Sequence, residues 1–273
     1  MTDEASARAK HYDAFYREFE ADVYAEIRRL EFGEDIGQNN WQSPEELAGF
    51  AEQLGLAPGV RLLDVACGAG GPGLYLARVT GCELTGVDRE KEGLANARRI
   101  AREARLDTPV RFVQADASER LPFADSSFDA ILCLDALNHL PGRAGVFADW
   151  ARLLVPGGRV LVTDPVTITG LVASEELQVR SSIGYFDFAP PGEDQRLLHE
   201  AGLDVIAVDD LTETVALVAR RRCTIRAERA RALRELEGDE AFDRRQRFLD
   251  IVATMARERR ISRFAYLARR PAR

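Results

Sequence analysis

The spacing of apolar residues changes twice along this chain. From Tyr12 to Leu30 they fall at three- and four-residue steps (Tyr12, Phe15, Tyr16, Phe19, Val23, Ile27, Leu30), which predicts a helix with a strongly aromatic face. A polar loop follows. Ser43, with Pro44 behind it and Glu46 three residues on, predicts the N-cap of a second helix running to about residue 55. From Val60 short apolar runs take over and alternate with amphipathic stretches: RLLDVAC, CELTGVDRE, VRFVQADA, FDAILCLDAL and RVLVTDP read as strands, the segments between them as helices. This alternation predicts an α/β fold with a Rossmann-like, doubly wound parallel sheet.

Past Pro165 the pattern loosens. Residues 165–190 have no clean period and read as a capping insertion, whereas GEDQRLLHEAGLDVIAVDDLT repeats helix and strand. Leu211, Val215, Val218 and Ile225 predict a further helix, Phe248, Val252 and Met255 another, and RRISRFAYLARR a last strand. The expected organisation is a helical N-terminal cap over 1–58 and one catalytic domain over 59–273, with helical lid insertions at about 165–190 and 211–258.

Composition narrows the partners rather than the fold. Lys and Arg number 37 against 45 Asp and Glu, and the net charge of −8 argues against a nucleic-acid backbone as main partner. The 4 cysteines form no CxxC pair, so neither a disulfide framework nor a zinc site is expected, and a reducing, cytoplasmic setting is. No apolar run approaches the roughly 20 residues that span a bilayer, and MTDEASARAK lacks the apolar core of a secretory signal.

The sharpest chemical signal is LLDVACGAGGPG, residues 62–73, where Gly68, Gly70 and Gly73 stand in GxGxxG spacing between strand and helix. Such a turn lets backbone approach a ligand closely, and the helix N-terminus presents free N–H groups. Dinucleotides and S-adenosylmethionine both suit it, and Asp64 separates them. At the end of the strand, its carboxylate would repel a pyrophosphate but accept hydrogen bonds from the ammonium group of a methionine moiety. Asp88, 20 positions after Gly68, suits ribose hydroxyls under either reading. Asp116, at the carboxyl edge of the third strand, suits an adenine amino group. Three carboxylates around one crevice make a poor phosphate site.

In order, LLDVACGAGGPG (62–73), LTGVDRE (84–90), VQADASERLPFADSSFDAILCLDALNHL (113–140) and RLLVPGGRVLVTDP (152–165) resemble the motifs of class I S-adenosylmethionine-dependent methyltransferases of the small-molecule type. The resemblance covers residues 58–165 closely and the rest more loosely. It implies a seven-stranded sheet whose last strand runs antiparallel, S-adenosyl-L-methionine as cofactor, and metal-free, in-line methyl transfer to an N or O nucleophile. It further implies that Asp64, Gly68 and Gly70 line the methionine portion, that Asp88 binds the ribose, that Asp116 and Ala117 hold the adenine, and that Leu134 lies beside the cofactor. Ala66 and Arg89 complete that set. FGEDIGQNNWQSPEEL, TDPV and GYFDF look most like amine and natural-product methyltransferases, including sarcosine and dimethylglycine N-methyltransferases. The polar loop before Trp41 departs from the betaine-forming pattern, so the acceptor of those enzymes is not carried over.

For the acceptor, His139 follows strand four, where a neutral imidazole can take a proton from a hydroxyl or ammonium nucleophile; a structural histidine is the plain alternative. Asp135 and Asn138 share that loop and either contact the acceptor or cap the next turn. Gln38, Asn39, Asn40 and Trp41 either close over the cofactor's carboxylate or the acceptor, or form a polar loop anchored by one tryptophan. Tyr12 and Tyr16, one helical turn apart, and Tyr185 suit a cationic amine or the sulfonium, or ordinary packing. The arginines of 220–260 alternate with glutamates and read as an ion-paired, solvated face. A methyltransferase acting on RNA or protein would be expected to carry an appended basic module or an open cleft. An NAD-dependent oxidoreductase is opposed by Asp64 and by a missing Tyr-x-x-x-Lys pair, Lys10 and Lys91 being the only lysines. The partners expected are therefore a small-molecule acceptor, no nucleic acid, no membrane, and at most a second copy of the chain in a homodimer.

Overall fold

The computed structural model describes residues 16, 18, 19, 21–182 and 186–272. Its strands are β1 Arg61–Val65, β2 Glu83–Asp88, β3 Val110–Gln114, β4 Phe128–Leu134, β5 Leu154–Ile168, β6 Asp204–Asp210 and β7 Ile261–Arg269. They form one seven-stranded sheet in the order β3-β2-β1-β4-β5-β7-β6, with β1 to β5 parallel and β7 antiparallel to both neighbours. Ten α-helices are described: α1 Asp22–Phe32, α2 Pro44–Leu54, α3 Gly71–Thr80, α4 Lys91–Ala104, α5 Arg143–Leu153, α6 Ser174–Arg180, α7 Glu193–Glu200, α8 Thr212–Glu228, α9 Ala230–Glu237 and α10 Asp239–Arg257. None is long and apolar enough to cross a membrane.

The pleat explains why β1 is apolar on both sides. Leu63 and Val65 join the cluster under α5, built on Phe147, Trp150 and Phe128, while Leu62 joins the opposite cluster with Leu47, Phe50 and Leu84. Chain order reverses at β1, which pairs with β2 on one side and β4 on the other. A crevice therefore opens at the carboxyl ends of β1 and β4, the usual ligand position in such sheets. A third apolar cluster packs Trp41 against Val215, Ala219, Phe248, Leu249 and Val252, so α8 and α10 cover that end of the sheet.

The predicted strands and the α/β class are present, with three differences. The aromatic stripe is not one helix: α1 starts at Asp22 after a break at Ala21, whose ψ of 137 is extended; Tyr12 and Phe15 lie outside the described residues. Leu30, taken as a stripe member, is 40% exposed; the inward positions near it are Arg28 and Glu31, made tolerable by ion pairs to Asp35 and Arg222. The 165–190 stretch is not wholly irregular, since it carries α6, and Thr167 bridges Ala189. Segment 211–258 holds three helices rather than two, because α9 buries only Leu233 and leaves no apolar period to read.

Candidate active site

The glycine turn is held open by its own backbone. Gly68 and Gly70 have φ of +54 and +77, which glycine adopts freely, and Ala66 takes φ +57, a costly value for a residue with a Cβ. Gly73 serves close approach: a Cβ there would meet Asp64 Oδ2 at 2.5 Å. A Cβ on Gly71 would collide with the carbonyls of Ile36 and Gly37, so the loop between α1 and α2 lies directly on the start of α3. Asp88 braces the turn. Its Oδ2 accepts from the Gly68 N–H at 2.7 Å and its Oδ1 from the Glu90 N–H at 2.8 Å.

Asp64, 4% exposed, has no such donors among the described residues. Burial, with the Asp88 charge close by, pushes its carboxyl up to about 8. It faces a small crevice shared with Asn39, Asn40, Gln42, Ala66, Gly68 and Leu134. A neighbouring crevice is lined by Asp88, Arg89, Glu90, Ala117, Ala66 and His139. Asp116 stands at its edge, with Oδ1 accepting from the Ser118 N–H (3.0 Å) and hydroxyl (2.6 Å) and Oδ2 lying 3.8 Å from Arg89. A larger cavity of about 230 Å³ lies beyond, walled by Tyr24, Ile27, Trp41, Phe186, Phe248 and Leu249, with Arg180 and Arg222 among them. Tyr16 and Asn40 line all three spaces, and Asp135 and His139 line the second crevice and the cavity. The spaces therefore adjoin.

His139 follows β4 on a single 3-10 turn, Leu137–His139. Phe186 packs edge-on against its ring at 4.7 Å. The Asn138 amide nitrogen lies 3.2 Å from Nε2; donating there, it selects the neutral imidazole with its proton on Nδ1.

Three ionic ties shape the surroundings. Arg263 of β7, fully buried, meets Asp135 and Glu46, each at 2.7 Å. Asp135, at φ +51, also accepts from the Thr163 hydroxyl at 2.8 Å and from the Trp41 N–H at 3.3 Å. Arg222 of α8 grips the same loop from the other side: Nε donates to Glu31 at 2.8 Å, and the Nη groups donate to the carbonyls of Asn39 (3.1 Å) and Asn40 (2.7 Å). Its guanidinium lies 5.1 Å from the Trp41 ring. Arg143 binds Asp164 and, at 2.7 Å, Asp194, and donates to the Asp187 carbonyl, which fastens the segment carrying Phe186. Burial and the neighbouring Asp194 raise the Asp164 carboxyl against the opposing pull of Arg143.

The structure therefore gathers Asp64, Ala66, Gly68, Leu134, Asp88, Arg89 and Ala117 along one pair of crevices. Trp41, expected over the cofactor's carboxylate or the acceptor, is a wall of the larger cavity. Gln38 turns its amide back on its own loop, accepting from the Ile36 N–H at 3.0 Å. Asp135, expected to contact the acceptor or cap the next turn, lines the cavity and is engaged by Arg263, Thr163 and Trp41. Tyr12 and Tyr185 lie outside the described residues. Sequence reasoning missed Gln42 and Glu90. Gln42 follows Trp41 in a polar run where no residue stands out, but its side chain is fully buried in the Asp64 crevice with both amide atoms unpartnered among the described residues.

A left-handed glycine turn, a buried carboxyl without donors and an orphaned amide fit the amino-acid end of a methionine-derived cofactor, and they offer nothing cationic to a pyrophosphate. Residues 63–162 match a family model described as a methyltransferase domain. Methyltransferase GfsG of Streptomyces halstedii is 32% identical over 231 residues, 77% of this chain and 81% of that protein. The 27-O-demethylrifamycin SV methyltransferase of Amycolatopsis mediterranei is 32% identical over 229 residues, 78% and 81% of the two chains. In fold, the cyclopropane synthase MmaA2 from Mycobacterium tuberculosis superposes with a TM-score of 0.81 at 16% identity, covering 96% of this chain and 98% of its own. This chain belongs to the S-adenosylmethionine-dependent methyltransferases.

Proposed function

We propose that the enzyme methylates an oxygen or nitrogen of a small-molecule acceptor held in the 230 Å³ cavity, under a cover made by the cap of residues 1–58 and the lid segments 165–190 and 211–258. The observation that carries this reading is the position of His139, on the wall common to the cavity and the adjoining crevice. The rifamycin relative's name also describes an O-methylation of a small molecule.

In this reading the bound cofactor supplies a methyl group on a positively charged sulfur, already activated for displacement. The chain's own residues bind and align. Asp64 accepts from the ammonium of the methionine portion. Asp88 keeps the turn in shape, and each of its oxygens retains a lone pair for a ribose hydroxyl. Asp116 and Ala117, with Arg89, flank the adenine. The apolar walls exclude water and hold the acceptor in line with the methyl carbon, the main source of rate in a displacement of this kind. A hydroxyl acceptor takes the place of the Asn138 amide at His139 Nε2 and gives that nitrogen its proton, whereas an amine needs only to arrive unprotonated.

Calorimetric titration with S-adenosylhomocysteine and, separately, NAD tests the donor site; saturable binding of the first alone is expected. A screen of phenols, alcohols and small amines, read by mass spectrometry for one added methyl group, then tests the acceptor class. Turnover of a protein or RNA and of none of these would overturn it.

The raised Asp64 carboxyl makes a separate prediction. In the free protein it is largely protonated at pH 7, and an ammonium beside it favours the ionised form. Binding of S-adenosylhomocysteine should therefore release close to one proton per site at pH 6.5–7, measured from the buffer dependence of the calorimetric enthalpy, and almost none above about pH 9. Asp64→Asn should abolish the release; a buffer-independent enthalpy in the wild type would sink the pairing. By the same linkage the ligand-free protein loses stability as pH rises from about 4 to 8, because the folded state holds a proton that the unfolded chain gives up.

A further inference from the structure

The crevice beside Asp64 is unusual in its donors. Among its described lining residues are Tyr16, Asn39, Asn40 and Gln42, with no arginine, lysine or histidine. Asn40 already donates its amide nitrogen to the Leu134 carbonyl at 2.8 Å. Gln42 is different: its side chain is fully buried, and among the described residues neither its oxygen nor its nitrogen has a hydrogen-bond partner. Its backbone has little freedom to relieve this. Trp41 before it donates to Asp135, and Ser43 after it caps α2 by accepting from the Glu46 N–H at 3.2 Å. A buried amide with both atoms unpaired is destabilising in the empty protein, and such groups persist where a ligand completes them.

The missing partner is defined by the crevice. An amino-acid end brings an ammonium and a carboxylate together. Asp64 complements the first. The second needs an N–H donor, and a neutral amide supplies two without neutralising Asp64 or repelling a sulfonium. We propose that Gln42 binds the carboxylate of the cofactor's methionine portion, with Nε2–H donating to a carboxylate oxygen. This makes it the residue that selects ligands carrying an amino-acid end, and it rests on the reading of this crevice as the methionine site.

The test compares two ligands on wild type and Gln42→Met, which keeps the side chain's length and removes its polarity. S-adenosylhomocysteine carries the amino-acid end; 5′-methylthioadenosine keeps nucleoside and sulfur and lacks it. Calorimetry should show the first weakened about 10- to 150-fold, the range of a hydrogen bond to a charged group, and the second changed less than about threefold. Thermal melting of the ligand-free variant should occur at or above the wild-type temperature, since an orphaned amide has gone. Gln42→Glu, which sets a carboxylate against a carboxylate, should weaken S-adenosylhomocysteine at least as much and serves if the methionine variant does not fold. Equal losses for both ligands with a lower melting temperature would assign Gln42 to packing, and unchanged S-adenosylhomocysteine affinity would remove it from the site; either overturns the proposal while the methionine site stands. Failure of the wild type to bind S-adenosylhomocysteine overturns both.

Discussion

His139→Ala should slow methylation of a hydroxyl acceptor by about 10²- to 10⁴-fold, the usual contribution of one positioned general base. The argument is geometric. The ring stands on the wall between crevice and cavity, packed against Phe186 at 4.7 Å, and the Asn138 amide 3.2 Å from Nε2 keeps it neutral until a hydroxyl acceptor takes that amide's place. Single-turnover rates with saturating acceptor separate this from binding, and S-adenosylhomocysteine affinity should move less than about threefold. Amine acceptors supply the control, because an unprotonated amine needs no base before transfer. A variant within tenfold of the wild type on a hydroxyl acceptor would leave His139 as a structural residue.

Arg263→Met should destabilise the fold by about 3–5 kcal/mol, the cost of removing one partner from a buried ionic cluster. Arg263 is 1% exposed and offsets two buried carboxylates at 2.7 Å each. Without it two buried carboxylates are left uncompensated. Burial already raises the Glu46 carboxyl, with Arg263 pulling it down. For a domain of this size the loss corresponds to a fall in melting temperature of about 2–4 °C per kcal/mol. The triple variant Arg263→Met with Asp135→Asn and Glu46→Gln should recover part of it, because the uncompensated charge disappears. If Arg263→Met alone melts within about 2 °C of the wild type, the cluster is electrostatically neutral to stability.

What could be read from the chain follows the range of the interactions. The glycine turn, Asp64 and Asp88 lie within one β–α–β unit, where the two strand ends and the turn are close in sequence, and all three stand at the paired crevices. What holds Asp135 could not be read, because its partner Arg263 lies 128 positions away and no local pattern pairs them. What Trp41 packs against could not be read, because its cluster partners, Val215 and Phe248, come from the last third of the chain. The inward charges of α1 were hidden for the same reason: Glu31 is buried only because Arg222, 191 positions on, meets it. Gln42 had no signal at all, since a buried unpaired amide is defined by what surrounds it.

The position of β7 carries a consequence for how the chain is made. It is the last strand in sequence but lies inside the sheet, between β5 and β6, and β6 pairs with nothing else in the ladder. As the chain emerges at about 5–20 residues per second, β1 to β5 can assemble in order, while Asp204–Asp210 has no strand to join until Ile261–Arg269 has followed the long helical insertion out. Until then the free edge of β5 stays exposed, and Asp135 and Glu46 keep their water. Arg263 arrives with β7, so neutralising the buried carboxylates and joining β6 to the sheet are one event, which follows the helical insertion.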